Sequence, residues 1–130
     1  MRSLFTLIFI TFSIALFGQE FKIYERNDVF DIVDELPKFK EGIVDLYTYL
    51  GNNVRYPSKA NKNNIEGKVF VGFIVWKDGT LKEIKVVKSV HKTLDREAIR
   101  LIKSMPKWNP GIKNGYLVNS RFTVPIKFRL

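Results

Sequence analysis

Apolar and polar residues alternate most regularly at the C-terminal end of the chain. Phe122, Val124, Ile126, Phe128 and Leu130 form the apolar set, and Arg121, Thr123, Lys127 and Arg129 form the intervening set. This period of two predicts a half-buried antiparallel strand. Pro125 shares the polar parity, and proline cannot donate a ladder hydrogen bond. We therefore expect an edge strand with position 125 directed at its open side.

Residues 68–77 form a second alternating run that is apolar on both parities. Val69, Val71, Phe73 and Val75 share one face, and Phe70, Gly72, Ile74 and Trp76 share the other. This pattern predicts a central strand that is covered on both sides. Asp78-Gly79 then favours a hairpin into a third run, in which Ile84, Val86 and Val90 share a face. Asn114-Gly115 predicts another turn, before the C-terminal strand.

Three segments are predicted to be helical. Residues 41–50 carry a stripe of Ile43, Leu46, Tyr47 and Leu50, with Gly51 as the expected stop. Tyr56-Pro57 opens a short helix to about Asn61, with the proline in its first turn. A third helix carries the stripe Leu94, Ala98, Leu101, Ile102 and Met105, with Thr93 as its cap and Pro106 as its end.

The first 18 residues differ from the rest of the chain. Arg2 precedes an uncharged apolar run from Leu4 to Phe17, and Gly18 follows it. This pattern is typical of a secretory signal peptide, and we expect cleavage near Gly18 and Gln19. The alternative is an uncleaved N-terminal anchor in the inner membrane that faces the periplasm. Residues 19–40 are expected to be an extended lead-in, and short alternation from Val29 to Val33 leaves open that it forms strand.

The chain is strongly basic and has no cysteine. Its formal charge is +9, and residues 19–130 keep 21 basic against 13 acidic residues, or +8. A basic surface suits anionic partners, and the predicted export argues against nucleic acid. The lack of cysteine excludes disulfides and thiolate metal sites.

A series of short landmarks appears in a fixed order along the chain. Together they resemble the TonB C-terminal domain family, in particular its short exported Bacteroidetes-type members, over roughly residues 36–130. The resemblance implies an α+β fold in which a three-stranded antiparallel sheet has two helices on one face, plus an extra N-terminal helix. The domain is then expected to span residues 41–130. The landmarks are Tyr56-Pro57, Gly67-Lys68-Val69, Asp78-Gly79, Val86-Val87-Lys88-Ser89, Leu94-Asp95-Arg96-Glu97-Ala98, Met105-Pro106-Lys107-Trp108, Pro110-Gly111 and Thr123-Val124-Pro125-Ile126.

The resemblance also implies a function in the periplasm. Members of the family grip outer-membrane transporters, whose short extended TonB box adds a strand beside the last strand of the domain. In such β-augmentation, backbone hydrogen bonds give affinity and outward side chains give selectivity. The residues carried over as partner-binding are Arg121, Thr123, Pro125, Lys127 and Arg129, together with Asn53 and Arg55.

Several alternatives stay open at this point. Arg121, Lys127 and Arg129 also suit plain protection of a sheet edge against aggregation, and the same edge suits a homodimer. The second function considered is a cell-envelope structural protein that binds anionic wall or lipid through its basic surface. For Tyr56, Trp76 and Trp108, core packing is the favoured interpretation.

Three features depart from the family's pattern, and one of them is Pro125, which removes a possible donor from the recruiting edge and would weaken an added strand by about 1 kcal/mol. The run from Leu4 to Phe17 has no ionisable residue for coupling to a proton-driven motor. All five prolines lie within or beside the expected folded region, so no long proline-rich linker is seen. The sequence therefore favours the gripping domain over a motor-coupled transducer.

No catalytic constellation is evident. His91 is the only histidine, and neither it nor Ser89 has an evident carboxylate partner in the sequence. Asp31, Asp34 and Glu35 lack the histidines or loop glycines of a metal site. We expect no enzyme activity, no cofactor, no metal and no small-molecule substrate.

Overall fold

The computed structural model describes residues 9–16 and 19–130, with side chains from residue 21 onward. Ten elements follow one another along the chain. They are β1 (Phe9–Leu16), β2 (Gln19–Tyr24), β3 (Val29–Phe30), α1 (Ile43–Asn53), α2 (Ser58–Lys62), β4 (Gly67–Val75), β5 (Leu81–Lys88), α3 (Lys92–Lys103), β6 (Gly111–Lys113) and β7 (Tyr116–Phe128).

The centre of the fold is an antiparallel sheet of β5, β4 and β7. β4 is its central strand and pairs with both neighbours, from Gly67↔Phe128 to Val75↔Ser120 on the β7 side. The Asp78-Gly79 hairpin is confirmed, and Gly79 has a φ of 91°, a backbone conformation that side chains disfavour. A Cβ at Gly79 would lie 2.4 Å from the carbonyl oxygen of Trp108. The turn therefore needs glycine for two separate reasons.

The sheet is larger than the resemblance implied. β1 pairs antiparallel with β2, and β2 pairs parallel with β7 at Lys22↔Tyr116 and Ile23↔Leu117. β3 also pairs parallel with β7, and β6 forms a hairpin with it. The strand order is β1-β2-β7-β4-β5. The expected extended lead-in thus contributes strands to the sheet.

The main core lies between one face of the sheet and the helices. Val69, Val71, Phe73 and Val75 are buried there, as the alternation predicted. On the opposite face Gly72 and Ile74 are buried but Phe70 and Trp76 are only half-buried, so the predicted cover on both sides of β4 is partial. The apolar stripe of α3 is buried against them, with the exception of the half-buried Met105, which lies beyond the end of the helix. Only half of the apolar stripe of α1 packs in the core: Leu46 and Leu50 are buried, while Ile43 and Tyr47 are exposed.

Three predicted helix boundaries are wrong. α1 continues through Gly51 to Asn53, and there the Arg100 side chain donates to the Asn53 carbonyl oxygen (2.9 Å). This tertiary contact satisfies an end carbonyl that would otherwise favour an earlier stop. Pro57 is the N-cap of α2 and not a residue of its first turn.

The third boundary is the start of α3. His91 is its N-cap, since the Nδ1 atom of His91 accepts a hydrogen bond from the Thr93 N–H. Thr93 lies two residues past the N-cap, so the capping role that the sequence suggested for it is wrong.

The N-terminal prediction is not tested by these elements. Residues 1–8 and 17–18, including Gly18 at the expected cleavage site, lie outside the described residues, and residues 9–16 form β1. Within the described part, no helix is long and apolar enough to cross a membrane. The signal peptide stays a prediction.

Candidate functional site

The two sides of β7 are occupied differently along its length. On one side, β6 pairs with residues 116–118 and β4 pairs with residues 120–128. On the other side, β2 pairs with residues 116–117 and β3 with residues 119–120. From residue 121 to residue 128 this second side has no strand partner among the described residues. We refer to it as the open edge.

The position of Pro125 fixes which backbone groups point outward. Pro125 is in register with Phe70, and a hydrogen-bonded antiparallel pair exchanges two N–H···O bonds, which proline cannot do. The pair is therefore a non-hydrogen-bonded one. By alternation, residues 121, 123, 125 and 127 direct their backbone groups toward the open edge. Three of these four residues can donate an N–H there.

A shallow groove runs beside the open edge. The C-terminal half of α1 forms one wall of the groove, and the end of β7 forms the other wall. Its lining residues are Tyr47, Leu50, Gly51, Val54, Pro125, Ile126 and Lys127. The groove offers apolar contacts to any strand that adds to this edge.

The outward side chains of β7 are exposed, as predicted. Arg121, Thr123 and Lys127 are solvent-accessible, and Pro125 is half-buried. Arg121 forms an ion pair with Asp31, with its Nε 3.0 Å from the carboxylate oxygen. Asp31 directly follows β3, so the ion pair lies at the point where strand pairing with the lead-in ends. Arg129 is exposed but lies beyond the end of the strand.

The predicted apolar set of this strand is correct in four of five positions. Val124, Ile126 and Phe128 are buried and Phe122 is half-buried. Leu130 was expected to face inward, but it is 49% exposed. The reason is that β7 ends at Phe128, so residue 130 is outside the alternation.

Asn53 and Arg55 are placed differently from the rest of the predicted set. The Asn53 side chain donates to the Tyr49 carbonyl oxygen (2.8 Å) and so belongs to the end of α1. Arg55 lines a separate cleft with Lys59, Arg96 and Arg100. Of residues 53–55, only Val54 lines the groove.

The buried carboxylate of Glu97 joins α3 to the segment that follows α1. Glu97 is only 8% exposed, and its two oxygens accept hydrogen bonds from the Arg100 side chain and from the Arg55 N–H, each at 2.7 Å. Burial raises the pKa of Glu97, but the hydrogen bonds and charges of Arg100 and Arg55 outweigh it, so the pKa lies below its ordinary value. Glu97 is therefore ionised at neutral pH and fixes the end of α1 to α3.

The sequence reasoning missed the wall of the groove. Tyr47, Leu50, Gly51 and Val54 were assigned to a core-facing helix or to no site at all. The signal available was the wide apolar stripe of α1 followed by glycine, but only the fold shows that this stripe extends past the core to the open edge.

Of the three aromatic residues favoured for core packing, Trp108 and Tyr56 do pack in or against the core, and the prediction is wrong for Trp76. Trp108 is buried, with ring centroids 5.2 Å from Phe73 and 5.4 Å from Phe122. The Tyr56 ring contacts Phe128 at 5.8 Å, and its hydroxyl donates to the Ile65 carbonyl oxygen. Trp76 is half-buried, on the opposite face of the sheet.

The side chains considered for catalysis have structural partners. His91 caps α3, and Ser89 donates to Asp95 in the first turn of the same helix. Asp31 pairs with Arg121, and Asp34 accepts a hydrogen bond from the Asn114 N–H (2.7 Å). Over the described ranges, no cluster of His, Cys, Asp and Glu could hold a metal ion.

Comparisons with known proteins agree with this architecture. The family model of the Gram-negative bacterial TonB protein C-terminal region matches residues 52–130. Protein TonB of Helicobacter pylori is 38% identical over 65 residues, which cover 49% of this chain and 23% of that protein. Protein TonB of Vibrio cholerae is 37% identical over 79 residues, which cover 58% of this chain and 31% of that protein. The chain thus spans about a quarter to a third of the length of these relatives.

Solved structures show the same fold. Two NMR solution structures of the C-terminal domain of Helicobacter pylori TonB match with TM-scores of 0.55 and 0.52 and identities of 28% and 30%. They cover 71% and 65% of this chain, and 88% and 89% of the solved domains. The chain therefore belongs to the TonB C-terminal domain family.

Proposed function

We propose that this protein binds an extended periplasmic segment of an outer-membrane transporter, or of another envelope protein, by strand addition to the open edge of β7. The observation that carries the proposal is this edge itself, where, within residues 9–16 and 19–130, residues 121–128 have a strand partner on only one side. An unpaired strand edge recruits a further strand unless something covers it.

The proposed setting is TonB-dependent transport across the outer membrane. It is supported by the family and by relatives that are whole TonB proteins. Because the chain corresponds to only part of those relatives, a role in energy transduction and a periplasmic location are part of the proposal. The proposed role needs no catalytic step, since binding alone connects the domain to the transporter.

The backbone of the open edge sets the strength of binding. Arg121, Thr123 and Lys127 each offer an N–H and a C=O, and Pro125 offers a C=O alone. A net contribution of about 1 kcal/mol per hydrogen bond gives such a strand a modest affinity. The groove side chains then add apolar burial.

The two faces of the added strand predict its sequence. Side chains on one face would meet Arg121, Thr123 and Lys127, so acidic or polar residues are favoured there. Side chains on the other face would enter the groove beside Leu50 and Val54, where apolar residues are favoured. The expected partner segment alternates acidic and apolar residues.

The test is site-specific crosslinking of the full chain in envelope preparations. A photoreactive residue at position 123 is expected to crosslink a periplasmic segment of one or a few outer-membrane proteins. The matched control is position 85, which is exposed on β5, at the far side of the sheet. Equal crosslinking from both positions, or none from position 123, would refute strand addition at this edge.

Self-association uses the same edge and is a measurable alternative. If two copies pair through β7, analytical ultracentrifugation shows a dimer, and position 123 crosslinks to position 123 or its neighbours in a second copy. A dimer that persists when an alternating acidic and apolar peptide is added in excess would contradict the transporter proposal.

A further inference from the structure

The face of the sheet opposite the helices carries an unusual charge distribution. Residues in register on adjacent strands share a face, so Lys68, Phe70, Gly72 and Ile74 of β4 define which residues of β5 and β7 lie beside them. The basic residues on this face are Lys68, Lys82, Lys85, Lys88, Arg121 and Lys127. We call it the basic sheet face.

No carboxylate occupies any of these paired positions. Glu83 is the only acidic residue in β4, β5 and β7, and it lies at a register shift with a φ of 52°, outside the paired positions. Of the six cations, only Arg121 forms a salt bridge within the described part of the chain, with Asp31. The basic sheet face thus carries a nearly uncompensated positive charge.

Apolar and aromatic side chains lie among these cations. Lys82 Nζ lies 4.1 Å from the centroid of the Trp76 ring, and Lys88 Nζ lies 5.7 Å from that of Phe70. Val87 is 59% exposed and packs over Gly72, where a Cβ would lie 2.8 Å from a Val87 methyl carbon. Tryptophan is enriched at membrane–water interfaces, and lysines near an anionic leaflet are attracted to it, so the half-buried Trp76 beneath Lys82 suits such a surface.

We propose that the basic sheet face docks on an anionic phospholipid bilayer. The charge complementarity is spread over the width of three strands, as a flat lipid surface requires. An extended peptide is a poorer fit to the middle of this face, because β4 is paired on both sides and has no free backbone edge there. Single-stranded nucleic acid is bound by stacking its bases on aromatic rings, whereas the half-buried rings of Trp76 and Phe70 are overlaid by Lys82 and Lys88.

Docking on lipid is independent of strand addition at the open edge. Four of the six cations of the basic sheet face lie on β4 and β5, away from the groove. The other two, Arg121 and Lys127, also belong to the proposed peptide site. Variants on β5 therefore test lipid docking and leave the open edge intact.

The test is binding of the full chain to vesicles of phosphatidylethanolamine and phosphatidylglycerol, with phosphatidylcholine vesicles as the neutral reference. The variant K82Q/K85Q/K88Q removes three charges from the basic sheet face. The control K59Q/K62Q/K103Q removes the same charge from exposed lysines of α2 and α3. Each lysine near an anionic surface contributes measurably to binding, so we expect the face variant to bind at least about tenfold more weakly and the control less than about threefold.

Tryptophan fluorescence gives a second readout. The chain has two tryptophans, and Trp108 is buried in the core. A blue shift on adding anionic vesicles would therefore report on Trp76, and the variant W76F should abolish it. Far-UV circular dichroism of each variant confirms that it is folded.

Four outcomes would overturn the proposal. Equal weakening of both triple variants would mean that net charge alone is responsible. Equal binding to phosphatidylcholine would exclude charge recognition. A polyglutamate peptide that displaces vesicles at equal charge concentration would identify an acidic protein segment as the better ligand, and a single-stranded oligonucleotide that does so would identify nucleic acid.

Discussion

The two halves of β7 belong to one strand but differ in strand pairing and in side-chain burial. The segment 116–120 is flanked by strands on both sides, by β2 and β3 on one and by β6 and the end of β4 on the other, and the side chains of Asn119 and Ser120 are buried. Residues 121–128 alternate between core and solvent and keep one side open. The lead-in thus completes the sheet beside the first half and stops where the open edge begins.

The first half depends on polar contacts with the lead-in. The Asn119 side chain accepts from the Lys77 N–H (2.7 Å) and donates to the Asp28 carbonyl oxygen (3.4 Å). Lys77 Nζ donates to the carbonyl oxygens of Tyr24, Glu25 and Arg26 at 2.7 to 3.0 Å. The second half depends instead on apolar burial against β4 and the helices.

The largest expected effect comes from a second proline placed on the inward parity of β7, beside Pro125. Val124→Pro would remove a ladder bond to β4 and leave a poorly filled site in the core, so we expect unfolding to become easier by about 3 kcal/mol. Thr123→Pro would remove only a donor on the open edge and should leave stability nearly unchanged. Chemical denaturation of both variants measures the difference. Equal destabilisation would mean that the outward parity is assigned incorrectly.

The next largest effect concerns the contacts of Glu97 with Arg100 and with the Arg55 N–H, near the α1 wall of the groove. Glu97→Gln would weaken the contacts with Arg100 and with the Arg55 N–H, and we expect a loss of about 2 kcal/mol in the free energy of unfolding. Thermal or urea denaturation at pH 7 measures it. The matched control is Glu66→Gln, an exposed residue, which should have little effect.

The same carboxylate predicts a pH dependence. The pKa of Glu97 in the folded state lies below its ordinary value of 4.5, so the ionised form contributes stability above about pH 4.5 that is lost as the pH falls through the folded-state pKa. Wild-type stability should decline in that acid range, and Glu97→Gln should decline less steeply. Parallel pH profiles for the two proteins would contradict the role assigned to Glu97.

A smaller effect is expected in the first half of β7. Lys77→Met would remove the ammonium that joins residues 24–26 to the end of β4. We expect a loss of about 1 kcal/mol overall, since burial already lowers the pKa of Lys77 and offsets part of the gain. Hydrogen exchange should become faster in β2 and β3 and stay unchanged at residues 121–128. Uniform acceleration along β7 would mean that its two halves unfold as one unit.

The smallest effect would sharpen the description of the open edge. Pro125→Val would restore the missing donor, and we expect about fivefold tighter binding of an alternating acidic and apolar peptide, or stronger self-association. Thr123→Val is the control, because it changes an outward side chain and keeps the N–H. Calorimetry and ultracentrifugation measure the two outcomes. Unchanged behaviour in both would count against recruitment at this edge.

Local patterns predicted much of the fold. The alternation in residues 68–75 and 122–128, the Asp78-Gly79 hairpin and the buried stripe of α3 all depend on neighbours in the sequence, and all are confirmed. The turn at Asn114-Gly115 is also present, with φ values of 51° and 79°. Such features are encoded within about ten residues of one another.

The missed features depend on distant partners. The parallel pairing of Val29 with Asn119 joins segments that are far apart in sequence, and the short alternation from Val29 to Val33 does not specify a partner strand. The extension of α1 past Gly51 depends on Arg100 of α3. The groove likewise exists only because α1 extends beyond the core toward β7. Sequence alone therefore predicted the strand that forms the edge and missed its surroundings.

The pairing of β2 and β3 with β7 has a mechanical consequence. A pull applied to the lead-in at residue 19 would enter β7 through the β2 register at residues 116–117, through β3 at residues 119–120 and through the Lys77 contacts. A strand held at residues 121–128 would bear the same load on the same side of β7. Tension between the lead-in and the bound strand would be carried along β7 alone, as shear between paired strands. The helices and the core would not lie on this line of force.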